Sequence, residues 1–492
     1  MFEIPQDISK KAYQLIIQRL DGDRIDDREY ADRMHGLVEK GIGGFIIFGG
    51  EMEAIKKFVA ELQAVSEIPL FIASDIERGV AQQIRGGSVF PSQMAVAAAI
   101  DRNSPEDVKL LEQGLKAVAA EAAYIGINMP LIPVLDVNLN PDNPIICTRA
   151  FSDRPETVSW FGLKYISALE GAGLISCAKH FPGHGDTSVD SHIDLPVIKK
   201  AASELRTADF LPFTEAIKAG VKSIMMAHLT LRSLDFMPTS LSRRVITGLL
   251  RKELGFEGLV LTDALNMHAL KDFGNVPVEC LEAGTDILLH PEDPDSTANE
   301  VISAILSEKL DEKKIDESLS RILKAKKGLA IIPNISKKTD CEIISSKLSE
   351  AAATLLKGTA DEIKLPDDTE IFFAGDEKFF EHSPLKHIYK TISADELNKA
   401  SAKTVLFAVF TSIAAWRGSS GISEDESAKL NQLIKNCGRS IVVSFGSPYV
   451  LKHFEGADFL IAVYDSSLNA QLAVAACLRG DAPFRGRLPV SI

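Results

Sequence analysis

At 492 residues the chain is too long for one ordinary hydrophobic core, so two domains are expected. Its composition, 46% hydrophobic and 25% charged, is that of an ordinary globular protein. A formal net charge of −14 argues against nucleic acid and anionic membrane surfaces as partners, because phosphates are repelled, and leaves a neutral small molecule such as a sugar open.

Met1 to Asp7 lack the basic start and apolar stretch of a secretory signal, and no apolar run approaches the ~20 residues that span a bilayer. Six cysteines (Cys147, Cys177, Cys280, Cys341, Cys437 and Cys477) are scattered without a Cys-x-x-Cys pair. In a chain of this size that pattern reads as reduced thiols, so a cytoplasmic protein is expected.

From about residue 40 to 290, short apolar β-forming runs alternate with longer helical patterns. The runs are Gly44–Phe48, Leu70–Ser74, Leu131–Leu135, Leu174–Ala178, Ser223–Met226, Gly258–Thr262 and Asp286–Leu289, with amphipathic segments such as Ser104–Tyr124 and Glu156–Gly171 among them. Near-continuous apolar strands between helices imply a parallel sheet covered on both faces, and seven such units favour a (β/α)8 TIM-type barrel over an open sheet. An eighth strand is not evident. A helical pattern over Asp311–Leu329 ends the unit, and Ile332–Lys338 has the composition of a linker. After a further helix near Glu342–Leu356 a second alternation follows, with runs at Glu370–Ala374, Thr404–Phe410, Ser440–Phe445 and Asp458–Val463 and helices at Glu424–Asn436 and Ser467–Leu478. The expected organisation is therefore a catalytic barrel over 1–330, a linker and connecting helix over 331–365, and a smaller three-layer α/β sandwich domain over 366–492.

The densest chemistry lies in Lys179-His180-Phe181-Pro182-Gly183-His184-Gly185-Asp186-Thr187-Ser188-Val189-Asp190-Ser191-His192. Three histidines, two aspartates and a lysine follow the run Leu174–Ala178, where barrel and open-sheet enzymes keep their active-site loops. His180 and His184 stand four apart, but Pro182 and Gly183 between them disfavour the helix on which a zinc pair rides, so no metal is expected. General acid/base chemistry suits the segment better. Asp190 and His192, two apart, make a carboxylate–imidazole pair, unless the aspartate merely caps a loop histidine.

Asp263 directly follows the β-forming run Leu259–Thr262. There it either faces the cavity as a nucleophile or electrostatic stabiliser, or caps a helix beginning near Ala264; position alone leaves the two level. Asp75 follows another strand, in Ser74-Asp75-Ile76-Glu77-Arg78-Gly79, and Arg149 lies in the segment Asn140–Phe151 after Pro133–Asn138. A carboxylate and a guanidinium suit sugar hydroxyls, and an Asp–Arg rim pair or Asn/Asp/Pro turns are the plainer readings. His228, ending the run Ser223–Met226, reads as a satisfied core histidine. Gly41-Ile42-Gly43-Gly44 precedes its strand, the wrong order for a phosphate-cradling turn, and no Gly-x-Ser-x-Gly elbow occurs. Trp416–Gly421 reads as a flexible loop.

Together these segments resemble glycoside hydrolase family 3 in its β-N-acetylglucosaminidase branch, from about residue 10 to the C-terminal Phe484–Ile492. The most specific part is Lys179–His192, which is similar to the branch's Lys-His-Phe-Pro-Gly-His-Gly-x-x-x-x-Asp-Ser-His signature. The resemblance implies Asp263 as nucleophile, His192 as acid/base and Asp190 as its orienting partner. It implies Asp75, Arg149, Lys179 and His180 as holders of sugar hydroxyls. By the same resemblance the enzyme is a retaining exo-β-N-acetylglucosaminidase that needs no cofactor. Its substrate would be a small glycoside, terminal β-linked N-acetylglucosamine on cell-wall fragments.

A β-N-acetylglucosaminide phosphorylase or a β-glucosidase on the same scaffold is the alternative, and a non-catalytic carbohydrate-binding protein another. A family β-glucosidase would usually draw its acid/base from a glutamate of the second domain, and Asp190-Ser191-His192 argues against that. One segment departs from the family pattern Asp-x-Glu-Gly-Gly-Arg-Val-Gln-Arg: Gln83 stands where a substrate-contacting arginine is usual, and Arg78 where a glycine is. Arg85, two residues on, is the expected replacement for that charge.

Overall fold

The structure is a computed structural model that describes residues 2–329, 341–366, 368–398, 403–413 and 417–492. The expected linker Ile332–Lys338 and residue Trp416 lie outside them. The chain divides into two compact units. One holds the described parts of Met1–Phe90, Leu115–Val137 and Pro155–Thr339; the other takes in Pro91–Gly114, Asn138–Arg154 and the described part of Asp340–Ile492.

The first unit is the barrel. Its elements in chain order are β1 (Ile16–Asp21), β2 (Gly44–Phe48), β3 (Phe71–Ser74), β4 (Met129–Pro130), β5 (Cys177–Phe181), β6 (Val197–Ile198), β7 (Ser223–Met226), β8 (Thr230–Leu231), β9 (Leu259–Thr262) and β10 (Leu288–Leu289). One curled sheet runs β10-β1-β2-β3-β4 and a second runs β5-β7-β9, every pair parallel. Two parallel bridges join them, Val134 to Lys179 beyond β4 and Leu261 to Ile287 beside β10, so the ring closes on eight staves. β6 and β8 pair with each other outside the ring.

The eighth stave, not evident in the sequence, is β1. It pairs with β2 on one side and β10 on the other. Its residues Ile16, Ile17 and Leu20 are buried, whereas Gln18 and Arg19 interrupt the apolar run by which a barrel strand is recognised. A second difference concerns β5. The apolar run ends at Ala178, yet the strand continues through Lys179, His180 and Phe181. The Lys179 amide donates to Pro133 O at 3.1 Å, and its carbonyl accepts from Leu135 N–H at 2.6 Å. Lys179 and His180 are thus stave residues rather than loop residues.

In the second unit the sheet order is β11-β16-β15-β14-β12-β13, formed by β11 (Thr354–Lys357), β12 (Glu370–Gly375), β13 (Lys390–Thr391), β14 (Thr404–Phe410), β15 (Arg439–Phe445) and β16 (Phe459–Ala462). All pairs are parallel except β11 with β16. The helix expected over Glu342–Leu356 ends at Ala352, and Thr354–Lys357 is strand. The core gathers Leu406, Phe410, Ile441, Val443, Phe445 and Val474, with the Phe410 and Phe445 rings stacked at 4.6 Å. The early segment Asn138–Arg154 is sewn into this unit: Asn138 Nδ2 donates to Tyr449 Oη at 2.7 Å, and Ser152 Oγ to Pro489 O at 2.5 Å. The fold is a TIM-type barrel with a separate α/β sandwich domain. Among the described residues no helix is long and apolar enough to cross a membrane.

Candidate active site

The chemistry-bearing side chains of the barrel unit stand at the carboxyl ends of its staves, where the eight ends converge. Asp75 follows β3 directly. Lys179, on β5, is almost fully buried, and its Nζ donates to Asp75 Oδ1 at 2.6 Å and to Glu77 Oε1 at 2.8 Å. A buried ammonium is tolerated only when its charge and protons are matched, and here two carboxylates match it.

His180, next on the same strand, donates from Nδ1 to Asp136 Oδ2 at 2.7 Å. Asp136 is fully buried and also accepts the His184 amide on Oδ1 at 2.7 Å. Burial alone would raise the Asp136 carboxyl, but the adjoining His180 and His184 rings and those hydrogen bonds hold it below the usual carboxylate range. His184 is itself clasped between Thr187 Oγ1 at Nδ1 (2.8 Å) and Ser191 Oγ at Nε2 (3.0 Å). Burial in that position depresses its pKa to about 4. The two hydroxyls thus occupy both ring nitrogens of His184. No group of three or more metal-ligating side chains occurs among the described residues.

The Asp190–His192 contact expected from the sequence is formed. His192 Nδ1 lies 2.9 Å from Asp190 Oδ1, which also accepts the His192 amide at 2.9 Å. Asp190 is fully buried and the His192 ring about one quarter exposed. With Nδ1–H pointed at a carboxylate, Nε2 becomes the position at which the imidazole exchanges a proton. This is a dyad with its charge behind and its proton in front.

Asp263 stands at the end of β9, half-buried, with Oδ1 accepting the Ala264 amide at 2.7 Å. No helix begins at Ala264; the next helical turn is His268–Leu270, so Asp263 is not a helix cap. Burial opposes its ionisation, but the fields of His180, His228 and His192, with the Ala264 hydrogen bond, outweigh that and bring its pKa down to about 2. An ionised carboxylate facing several imidazoles can attack an electrophilic carbon or steady a developing cation.

Of the seven residues expected to form a site, six (Asp75, Lys179, His180, Asp190, His192 and Asp263) lie at stave ends or on the loop after β5 within the barrel unit. Arg149 belongs to the other unit, on the one-turn helix Cys147–Arg149, with Nη1 donating to Ile145 O at 3.0 Å. Arg85 is not available as the replacement cation, because Asp23 and Glu51 bind its guanidinium at 2.6 and 2.5 Å.

The sequence analysis gave no role to Asp136, Glu77 or His290, and weighed His184 only as half of a metal pair. Asp136 follows Leu131–Leu135 and His290 follows β10, so the end-of-strand rule that selected Asp263 would have found both. His228 is fully buried with Nδ1 2.8 Å from Ser240 Oγ, but its buried Nε2 has no hydrogen-bond partner among the described residues, so it is not the satisfied core histidine expected, and its ring bears on Asp263.

Residues 7–325 match the N-terminal domain of glycosyl hydrolase family 3. The chain belongs to glycosyl hydrolase family 3. This family 3 hydrolase is 34% identical over 323 residues to beta-hexosaminidase A of Pseudoalteromonas piscicida, covering 58% of its own length and 54% of that protein. It thus spans about half of that relative. It is 31% identical over 291 residues to a beta-hexosaminidase of Nitrosomonas eutropha, covering 58% and 82%. Among solved structures it is similar to a glycoside hydrolase family 3 beta-N-acetylglucosaminidase from Paenibacillus, with a TM-score of 0.86, 27% identity and 99% of each chain covered. A beta-glucoside phosphorylase shares the fold, with a TM-score of 0.85 at 21% identity.

Proposed function

We propose that this family 3 hydrolase is a retaining exo-β-N-acetylglucosaminidase acting on terminal β-linked N-acetylglucosamine, with cell-wall fragments as the source of that end group. The observation that supports the reading is two prepared groups within one field: a carboxylate, Asp263, held ionised in part by His192, and that imidazole, backed by the buried Asp190. The names of its relatives supply the sugar.

In the first step Asp263 attacks the anomeric carbon while His192 gives its proton to the departing glycosidic oxygen. A glycosyl ester on Asp263 forms and the aglycone leaves as an alcohol. In the second step His192 takes a proton from water, the hydroxide attacks the same carbon, and the ester bond breaks with net retention. Most retaining glycosidases divide these tasks between two carboxylates. Here the deprotonated imidazole is neutral and the negative charge stays behind it on Asp190, away from the reacting centre. Asp75, Lys179 and His180 hold hydroxyls of the same sugar. A role for Arg149 rests on the resemblance alone. Six scattered cysteines, five of them buried, support a reducing compartment.

Two measurements test this. Alanine at His192 should lower kcat/KM on natural glycosides by about 100-fold or more while sparing kcat/KM on dinitrophenyl glycosides, which need little protonation. Equal losses on both would remove the acid role. A 5-fluoro N-acetylglucosaminyl fluoride should add one glycosyl mass to the peptide bearing Asp263, and labelling at any other carboxylate would overturn the nucleophile assignment. Adding phosphate to either assay should give no sugar 1-phosphate; its appearance would mark a phosphorylase instead.

A further inference from the structure

The segment that carries Asp190 and His192 is pinned at its start and braced within. Gly183, with φ of +126°, lies so close to Asp209 that an added Cβ would come within 2.9 Å of the aspartate's own Cβ. The His184 amide is held by Asp136, and the His184 ring ties Thr187 to Ser191. A further side-chain tie reaches outside the segment, through Asp186. Its Oδ2 meets Lys200 Nζ at 3.1 Å, and the same ammonium lies 3.2 Å from Asp209 Oδ2.

Lys200 sits between β6 and the helix Ala202–Thr207, and Asp209 just ahead of the helix Leu211–Lys218. One cation therefore links the active-site segment to the scaffold behind it. Stability alone gives little reason for this arrangement. Asp209 is buried, two carboxylates share one ammonium, and Asp209 is pushed up to about 6 by burial and by Asp186 despite the pull of Lys200. A group whose ionised form costs free energy in the folded state suits a task other than holding the fold.

We propose that Lys200 is a positioning residue: bridging Asp209 to Asp186, it clamps the segment so that the Asp190–His192 dyad is presented to the glycosidic oxygen. The proposal rests on the function argued above and goes further by assigning a residue outside the signature to proton transfer. Asp75, Lys179 and His180 stand on or beside barrel strands and do not depend on the clamp. Losing Lys200 therefore weakens proton delivery and leaves the grip on the sugar in place.

The test uses the full chain and a series of β-N-acetylglucosaminides graded from dinitrophenyl to phenyl to alkyl leaving groups. Lys200→Met should reduce kcat/KM on the phenyl and alkyl members by about 100-fold, the scale of general acid catalysis, with kcat/KM on the dinitrophenyl member within about 3-fold. Lys200→Arg, which keeps the charge, should restore most of the loss. Asp186→Asn cuts the same tie from the solvent side and should give the same graded pattern, so a poorly folding Lys200→Met leaves the question decidable. Losses equal across the series, or none in either variant, would overturn the clamp. His192→Ala is run in parallel: if it shows no leaving-group dependence the dyad assignment itself fails, whereas a graded His192→Ala beside ungraded Lys200 and Asp186 variants defeats the clamp alone.

Discussion

Asp136 organises more of the active-site segment than any residue singled out from the sequence. One buried carboxylate orients the His180 ring, takes the His184 amide and so fixes where the chain leaves β5. Removing it strands a buried imidazole and a buried amide together, and breaking a buried charged pair from one side costs about 3–5 kcal/mol. Asp136→Ala should therefore lower the unfolding free energy by that order and reduce kcat/KM on every leaving group, most on the poorest ones, because both His180 and the start of the dyad segment lose their support. Denaturant titration with parallel kinetics checks this; unchanged stability would mean that water or a neighbour replaces the carboxylate. Asp190 and His192 were legible as a pair because they stand two apart. Asp136 and His180 were not, since they come from different staves.

Closure of the barrel depends on elements that are short and individually weak. β4 and β10 span two residues each, and single bridges at Val134 and Leu261 complete the ring. At the opposite end from the site, Asp286 acts as a staple between such elements. Its Oδ2 accepts Arg251 Nη2 at 2.6 Å and the Val260 amide at 2.9 Å, and its Oδ1 accepts Arg321 Nε at 2.9 Å. It joins β9, the chain entering β10, the helical segment Arg244–Glu253 and the helix Glu312–Leu329. Asp286→Ala should destabilise the barrel by roughly 3–5 kcal/mol by leaving two partly buried guanidiniums unmatched, while KM and the leaving-group dependence of the surviving folded enzyme stay as they were. A change in leaving-group dependence would show that the staple reaches the mouth.

For the whole molecule, the acid response follows from groups shifted in opposite senses. His184 and His290 are both lowered to about 4 by burial, with His180 adding to the shift of the first and Arg19 to that of the second. An unfolded histidine binds its proton near pH ~6.5, so as pH falls from there towards 4 the unfolded chain takes up two protons that the folded chain refuses. Their stabilisation is complete above ~6.5 and is lost as pH drops through about 4. Asp209, raised to about 6, works the other way over the same window, since its folded form gains a proton before its unfolded form does. From these three groups the unfolded chain takes up one proton net, about 1.4 kcal/mol of stability lost per pH unit between 6 and 4, and His228, also lowered by burial, adds to the loss. Below that window, protonation of carboxylates held low, Asp263 at about 2 among them, steepens the fall. Thermal melts should therefore show Tm declining from pH 6 to 4 in the native chain and declining less steeply in His290→Gln. An unchanged slope in that variant would assign the acid sensitivity elsewhere.

The amino-acid order alone determined where strands end and which side chains wait there, because both depend on neighbours within a few residues: an apolar run, then a charge, proline or glycine. It thereby named the segment Lys179–His192, placed Asp263 and Asp75 at stave ends, and located six of the eight staves, with the run Leu131–Leu135 falling just past the strand Met129–Pro130. It could not show that Ile16–Asp21 is a stave, since Gln18 and Arg19 look solvent-bound until β2 and β10 flank them, nor that Lys179 and His180 lie on a strand whose apolar run has already stopped. Tertiary structure alone decided which stave ends share a field. The ionisation of Asp263 is set by histidines from three other places in the chain, the His180 orientation by Asp136, and the hold on the dyad segment by Lys200. Such couplings fall off with distance through space, and a linear pattern records only distance along the chain.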